Sequence, residues 1–552
     1  MTSPQALPDS GRDPVDNQAG PPPPRNLYTT DPLLQKAMAG APYEWAQPLL
    51  TRFGELIGRC ETLALANDAN RFAPQLHSLD STGQRLDEVR YHPAYHQLME
   101  VAIGHGVHSI AWTAPTAGHS VHVALEYLFA QVEGGVCCPV TMTYAGLPLL
   151  KLAPRSISGE WLPKVLGTVY DSGYKPAAEK AGLTLGMAMT ERQGGSDLRT
   201  NSTRAELIQG DLYRLFGHKW FCSAPMSDGF FTLARTGSGL SCFLVPRWRP
   251  DGTRNPFVIQ RLKDKLGNRS NASAEIEYRD TWGYLVGEEG RGIATLMTMV
   301  RHTRLDTCLA PVALMRQGLV QALHNARHRK AFGKLLIHQP LMLTVLDDLA
   351  LELEAGMALL FAIADSFDQA ATPEGEAMSR LASGIGKFLL NKVAPGHVCE
   401  TLELLGGNGY VEENLMPRLY REAPLNGIWE GSGNVICLDV LRTLHEFPDC
   451  GERFIAAIAP ATGAYPEAAT QANSLYSLLK APGDEDFLQA AARHIVQGMA
   501  RLWQCALLVD AGENGAADRF AATRIKGAGV VFGGALPRQP SEENLVRVLG
   551  EL

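Results

Sequence analysis

Leu183-Thr184-Leu185-Gly186-Met187-Ala188-Met189-Thr190-Glu191-Arg192-Gln193-Gly194-Gly195-Ser196-Asp197 is the stretch where the chain changes its period. Leu183, Leu185, Met187 and Met189 alternate with Thr184, Gly186, Ala188 and Thr190, the spacing of two that a strand imposes. Short segments of the same kind follow at 211–216, 230–235, 241–246 and 274–278, separated by turn signals such as Gly237-Ser238-Gly239 and Asp251-Gly252. They predict about one hundred residues of antiparallel strands, closed as a barrel or stacked as a sandwich.

On either side the period is helical. Residues 27–182 read as a mostly helical N-terminal domain, and 183–290 as the strand domain. Beyond Gly292, Leu346, Leu349, Leu353, Met357 and Leu360 form one apolar stripe, so 291–446 reads as a helical bundle. Residues 447–552 read as an additional helical region, and the Pro-rich stretch 1–26 as a disordered or loosely docked arm. Helices, then strands, then helices give an α+β multidomain protein; a doubly wound nucleotide fold would alternate them.

Composition narrows the function. The 552 residues carry a net charge of −8, which excludes a polycation coating nucleic acid. Ten scattered cysteines without a Cys-x-x-Cys pair suit reduced thiols in the cytoplasm. Neither a secretory leader nor a long apolar span is expected. His324 and His328 have a metal-like spacing without a third ligand, so no metal is expected.

Five segments carry chemistry. The loop 189–197 can bring backbone N–H groups and hydroxyls against a flat polar ligand, or simply turn the chain. In Gly217-His218-Lys219-Trp220-Phe221-Cys222-Ser223, Phe221 and Ser223 share one strand face, where one could cover a ring and the other bond its edge. Arg329, in Asn325-Ala326-Arg327-His328-Arg329-Lys330-Ala331-Phe332-Gly333, can pair with a phosphate or merely complement a helix end. Leu405-Gly406-Gly407-Asn408-Gly409 can offer N–H groups to an anion or cap a helix. In Ile428-Trp429-Glu430-Gly431-Ser432-Gly433-Asn434, burial beside Trp429 would raise the Glu430 carboxyl towards the range of a general base.

In this order, the five segments resemble the acyl-CoA dehydrogenase family, and within it the branch tied to the alkylation response. The resemblance runs over about 26–442, including Lys263-Asp264-Lys265-Leu266-Gly267-Asn268-Arg269-Ser270-Asn271. It implies a central antiparallel β-barrel, a C-terminal four-helix bundle, a homotetramer and FAD between barrel and bundle. Met187 and Thr190 would touch the flavin ring, Ser196 would lie on its substrate or phosphate side, Phe221 would cover it and Ser223 would reach its N5 edge. Arg329, Phe332 and Gln339 match positions on the pyrophosphate and adenine of a neighbouring subunit's cofactor, and Gly406 and Gly407 the glycine loop beside it. Glu430 would be the base that abstracts the α-proton of an acyl-CoA, and Ile428, Trp429, Gly431, Ser432 and Asn434 around it would help to bind the cofactor. The chain departs from the family at Phe221 (usually Trp), Trp429 (often Tyr) and Glu403 (often Gln); Trp429 should shorten the acyl pocket. The alternative that the resemblance implies is a protein that binds double-stranded DNA and limits alkylation damage, with weak or vestigial dehydrogenase activity. Residues 451–552 carry nine Lys or Arg against eleven Asp or Glu, which leaves only a local stripe of Arg442, Arg493, Arg501, Arg519, Arg524 and Lys526 for that role.

Overall fold

The computed structural model describes residues 16–480, 485–527, 532 and 541–551. Of the expected arm only 16–26 fall within the described residues, and these are docked on the bundle by hydrogen bonds to Arg329, Lys330 and Asn408.

The first part contains α1 (Pro32–Ala37), α2 (Gln47–Ile57), α3 (Cys60–Arg71), α4 (Pro93–Gly104), α5 (Ile110–Thr113), α6 (Gly118–Ala130), α7 (Cys137–Leu152) and α8 (Arg155–Leu166). It also holds an antiparallel hairpin, β1 (Gln75–Leu79) with β2 (Arg85–Arg90), which the helical reading of 27–182 lacks. Both strands are short, β2 is charged, and its partner is remote: Asp87 Oδ1 accepts from Ile259 N at 3.0 Å and Arg85 donates to Ile259 O at 2.9 Å. Tertiary contacts override weak local strand preference here.

The central sheet has seven strands, β3 (Leu185–Ala188), β4 (Arg204–Gln209), β5 (Leu212–Ser223), β6 (Gly229–Thr236), β7 (Gly239–Pro246), β8 (Phe257–Leu262) and β9 (Ser273–Val286). The pairings β6–β7, β7–β9, β9–β5, β5–β4 and β4–β6 close it into a barrel, with β8 added to β9. Its interior is a separate apolar core that includes Cys222, Phe230, Phe243 and Ile276. The barrel is not wholly antiparallel: β3 runs parallel to β6, Leu185 opposite Gly229, and β4 touches β6 in the same sense. The chain between β3 and β6 is long enough for the return that a parallel pair requires.

The bundle is α9 (Gly292–His328), α10 (Pro340–Asp368), α11 (Pro373–Glu403) and α13 (Gly433–Glu446), with the short α12 (Met416–Glu422) before α13. The stripe read from the sequence, Leu346, Leu349, Leu353, Met357 and Leu360, is buried in the helical core. A two-residue hairpin, β10 (Lys330–Ala331) with β11 (Lys334–Leu335), links α9 to α10. The final helices, α14 (Pro448–Ala464), α15 (Pro466–Lys480), α16 (Glu485–Asp510), α17 (Asn514–Phe520) and α18 (Glu542–Leu549), join the same core. Among the described residues no helix is long and apolar enough to cross a membrane.

Candidate active site

Glu430 lies between a 3-10 turn, Leu425–Gly427, and the start of α13. Its backbone is left-handed, φ 57°, and Gly431 continues at φ 104°. A side chain in that region is strained by roughly 1–3 kcal/mol and needs surroundings that hold it. Arg304 of α9 supplies them: Nε donates to Glu430 O at 3.2 Å and NH1 to Asp439 Oδ2 of α13 at 2.6 Å. Asp439 Oδ1 accepts from Arg380 of α11 at 2.6 Å, so three bundle helices meet on one carboxylate. Burial alone would raise the Asp439 carboxyl; Arg304 and Arg380 more than offset it and hold it below the usual value.

The Glu430 carboxyl is instead raised above its ordinary value by burial, although the Thr303 hydrogen bond, Lys387 and Arg304 pull the other way. Thr303 Oγ1 donates to Glu430 Oε2 at 2.9 Å. Lys387, lowered to about 8 by burial, donates to Asn426 O at 2.7 Å, and Trp429 Nε1 donates to Asn426 Oδ1 at 2.7 Å. The indole beside the base is therefore pinned.

The barrel approaches from the other side. β5 alternates: Cys222 points into the barrel core, Phe221 stays 50% exposed and Ser223 is half-buried. Ser223 Oγ and Ser273 Oγ lie 3.0 Å apart. The buried Cys138 thiol is pushed up to about 12, chiefly by burial, with the Glu430 carboxylate adding to the rise and Lys265 opposing it. Thr190 receives Trp220 N on its carbonyl at 2.7 Å, and Met187 is buried in β3, while Ser196 is exposed on the following loop. That loop is anchored by a fully buried pair: Lys219 Nζ donates to Glu191 Oε1 at 2.8 Å, and Glu191 also accepts from Ser202 N and Oγ and from Thr203 N.

Arg329, Gly406 and Gly407 gather round a separate pocket of about 380 Å³, also lined by Leu336, Met342 and Glu403. Phe332 and Gln339 belong to the same corner: Phe332, φ 52°, is 98% exposed at the β10–β11 turn, and Gln339 Nε2 donates to Ala331 O at 3.0 Å. His324 faces Gly20 O at 3.0 Å and His328 its own helix, at His324 O.

The basic stripe is corrected by the structure. Arg501, Arg519 and Arg524 point inward and pair with Glu352, Asp347 and, for Arg524, both Asp348 and Glu352 of α10. A guanidinium buried against carboxylates is a bracket between helices and has no charge to spare for a phosphate. Arg442, Arg493 and Lys526 are exposed. Arg493 Nε donates to Asn434 Oδ1 at 2.7 Å, which ties one candidate DNA contact to a candidate cofactor contact. Ile428 and Ser432 are exposed beside the half-buried Gly431.

Thr303, Arg304, Lys387 and Asp439 escaped the sequence reading. Their signal was Arg301-His302-Thr303-Arg304, four polar residues in a row inside a helix buried on most sides. One turn further along α9, Asp306 meets His122 and Glu126, all buried. His122 Nδ1 bonds Val107 O at 2.7 Å, so it is Nε2 that faces Asp306 at 3.0 Å and Glu126 at 3.4 Å. Burial and Asp306 push the Glu126 carboxyl well up.

Residues 17–172 match the adaptive response protein AidB N-terminal domain, 186–281 the acyl-CoA dehydrogenase middle domain and 290–445 the acyl-CoA dehydrogenase C-terminal domain. The chain is 46% identical over 423 residues to the putative acyl-CoA dehydrogenase AidB of Escherichia coli (strain K12), covering 76% of this chain and 78% of that one. It is 31% identical over 525 residues to acyl-CoA dehydrogenase family member 11 of Caenorhabditis elegans, covering 88% and 84%. Among solved structures, Caenorhabditis elegans ACDH-11 in complex with C11-CoA is similar with a TM-score of 0.84 at 27% identity, over 96% of both chains.

Proposed function

The chain belongs to the acyl-CoA dehydrogenase family, and on that premise we propose that it is an FAD-dependent oxidoreductase desaturating a short or branched acyl-CoA, with Glu430 as base. The observation that carries this reading is the Glu430 carboxyl: raised by burial, bonded by Thr303, and set on a left-handed backbone that Arg304 holds. A base tuned upward from the carboxylate range takes a weakly acidic α-proton better than an exposed glutamate would. The Glu430 N–H makes no hydrogen bond to another described residue, which leaves it free to polarise a thioester carbonyl. Arg304 fixes the backbone from which that N–H and the carboxylate both project.

The residues present fit a flavin dinucleotide. Phe221 offers a half-exposed aromatic ring, with the Lys263 ammonium 4.9 Å from its centre and Ser223 two residues on, and Met187 and Thr190 lie at the end of β3. The pocket at Arg329 combines a guanidinium, which has no ion pair among the described residues, with Gly406 and Gly407, above which a Cβ would meet open space. That is a donor set for a pyrophosphate. When bound, the flavin supplies the two-electron acceptor for the β-hydride. Phe332, Tyr410 and Leu341 leave 98%, 80% and 75% of their surface exposed, supporting assembly with further copies, which we take to be a homotetramer. The duplex-DNA alternative keeps only Arg442, Arg493 and Lys526 at the surface.

The test is anaerobic titration of the purified yellow protein with short acyl-CoAs. Bleaching of the flavin bands in the natural protein, and none in Glu430→Gln with its flavin retained, is the expected result. A flavin that no acyl-CoA bleaches would leave a cofactor-bound scaffold and sink the dehydrogenase reading.

A further inference from the structure

The pocket beside Arg329 has a wall that neither the barrel nor the bundle supplies. Residues 16–20 of the N-terminal arm cross the end of α9 and the β10–β11 hairpin. Asn17 uses its side-chain amide as a strand partner would: Nδ2 donates to Lys330 O at 2.9 Å and Oδ1 accepts from Lys330 N at 2.6 Å. Its backbone carbonyl accepts from Arg329 NH1 at 3.1 Å, and Gly20 O faces His324 Nε2 at 3.0 Å. Gln18 then reaches the glycine loop, where its Oε1 accepts from Asn408 Nδ2 at 2.9 Å, and it lines the pocket with Arg329, Gly406 and Gly407.

Three features make this a ligand site rather than a surface strap. The arm satisfies Arg329 with a neutral carbonyl, which orients the guanidinium and leaves its charge for an anion. Gly406, at φ 62°, and Gly407 leave their side of the pocket open to a close backbone approach. The Gln18 Nε2 amide makes no bond to another described residue, so it remains a donor at the pocket wall.

We propose that Asn17 and Gln18 belong to the cofactor site: Asn17 positions Arg329 for the pyrophosphate of the dinucleotide, and Gln18 donates its amide to the same nucleotide moiety. The arm and the cofactor then bind cooperatively, each ordering the other. This rests on the flavin reading of the pocket.

The experiment uses the full chain, stripped of flavin and titrated with FAD, alongside Asn17→Ala, Gln18→Ala and Arg329→Ala. Amide exchange at Lys330, whose N–H is held by Asn17, is followed by mass spectrometry with and without FAD. Each arm variant is expected to raise the FAD dissociation constant about tenfold, the loss of one good hydrogen bond, and FAD is expected to slow exchange at Lys330 in the natural chain. Arm variants that bind FAD like the natural chain while Arg329→Ala binds weakly would overturn the role of the arm and spare the flavin pocket. No effect in any of the three would overturn both.

Discussion

Replacing Thr303 by valine keeps the shape of the side chain and deletes the hydroxyl that meets Glu430. That hydroxyl lies 2.9 Å from Glu430 Oε2 and 3.0 Å from Val300 O, yet it has only one proton to give. With Glu430 ionised, the proton goes to the carboxylate. With Glu430 protonated, the carboxyl can donate to Thr303, which turns its own proton to Val300. The bond to the charged form contributes about 2 kcal/mol and that to the neutral form about 1. The difference, about 1 kcal/mol, shifts the carboxyl by about 0.7 of a pH unit. Loss of a bond that favours the ionised form moves the Glu430 titration upward, adding to the rise that burial already causes. A base must be ionised to act, so turnover rises as pH climbs through this titration. Thr303→Val should therefore move the acid limb of the kcat profile up by about 0.7 unit, a loss of about fivefold on that limb with little change on the plateau. The assay is turnover of a short acyl-CoA with an artificial acceptor from pH 5 to 9, with ¹³C titration of the carboxyl as a readout independent of turnover. A limb that stays in place while the plateau falls would refute the electrostatic argument and make Thr303 a spacer.

Further outcomes follow from the same geometry. Glu352, 2% exposed and held at about 2 by Arg501 and Arg524, contributes stability above the ordinary carboxylate value that is lost as pH falls towards 2. Glu352→Gln should cost about 3–5 kcal/mol in urea unfolding at pH 7, with the gap to the natural chain narrowing below pH 4.5; a gap independent of pH would be inconsistent with this linkage. Lys219→Met strands the buried Glu191 carboxylate at the base of its loop and should cost a similar ~3–5 kcal/mol; the double variant with Glu191→Gln should recover part of it, and no recovery would mean the pair is not coupled. With Trp429 pinned to Asn426, short acyl-CoAs should turn over faster than long ones and Trp429→Ala should shift the optimum to longer chains; fastest turnover of long chains by the natural protein would remove Trp429 as the limit.

The barrel was legible where one face of a strand is buried. Leu185 and Met187 alternate with small residues, and the expected segments at 230–235, 241–246 and 274–278 fall inside observed strands, while 211–216 does so from Leu212 onward. β4 and β8 were missed because their alternation is poor: β4 buries only Ala205, and β8 buries three residues in a row before turning outward. The β1–β2 hairpin was illegible for another reason, since its charged strand β2 is held by polar contacts to a strand some 170 positions away. At the site the contrast is the same. Glu430 stands out because an indole and three small residues surround it in sequence. Thr303 and Arg304 look like interior positions of a long helix, and their role exists only once α13 brings Glu430 and Asp439 against them.

Charge illustrates why local counting misleads. Over 451–552 nine basic residues nearly balance eleven acidic ones, and five of the nine could be drawn with Arg442 as a stripe. Arg501, Arg519, Arg524 and Arg547, however, are neutralised by Asp347, Asp348, Glu352 and Glu354 of α10, which lies outside that window. Setting those four aside leaves five basic residues against eleven acidic ones in the region. A polyanion meeting this surface would encounter more acid than the bare sequence implies, and counterion release by Arg442, Arg493 and Lys526 alone would give a shallow salt dependence. Three of the arginines that suggested a nucleic-acid face, Arg501, Arg519 and Arg524, instead fasten the C-terminal helices to α10, the bundle helix that follows the β10–β11 hairpin.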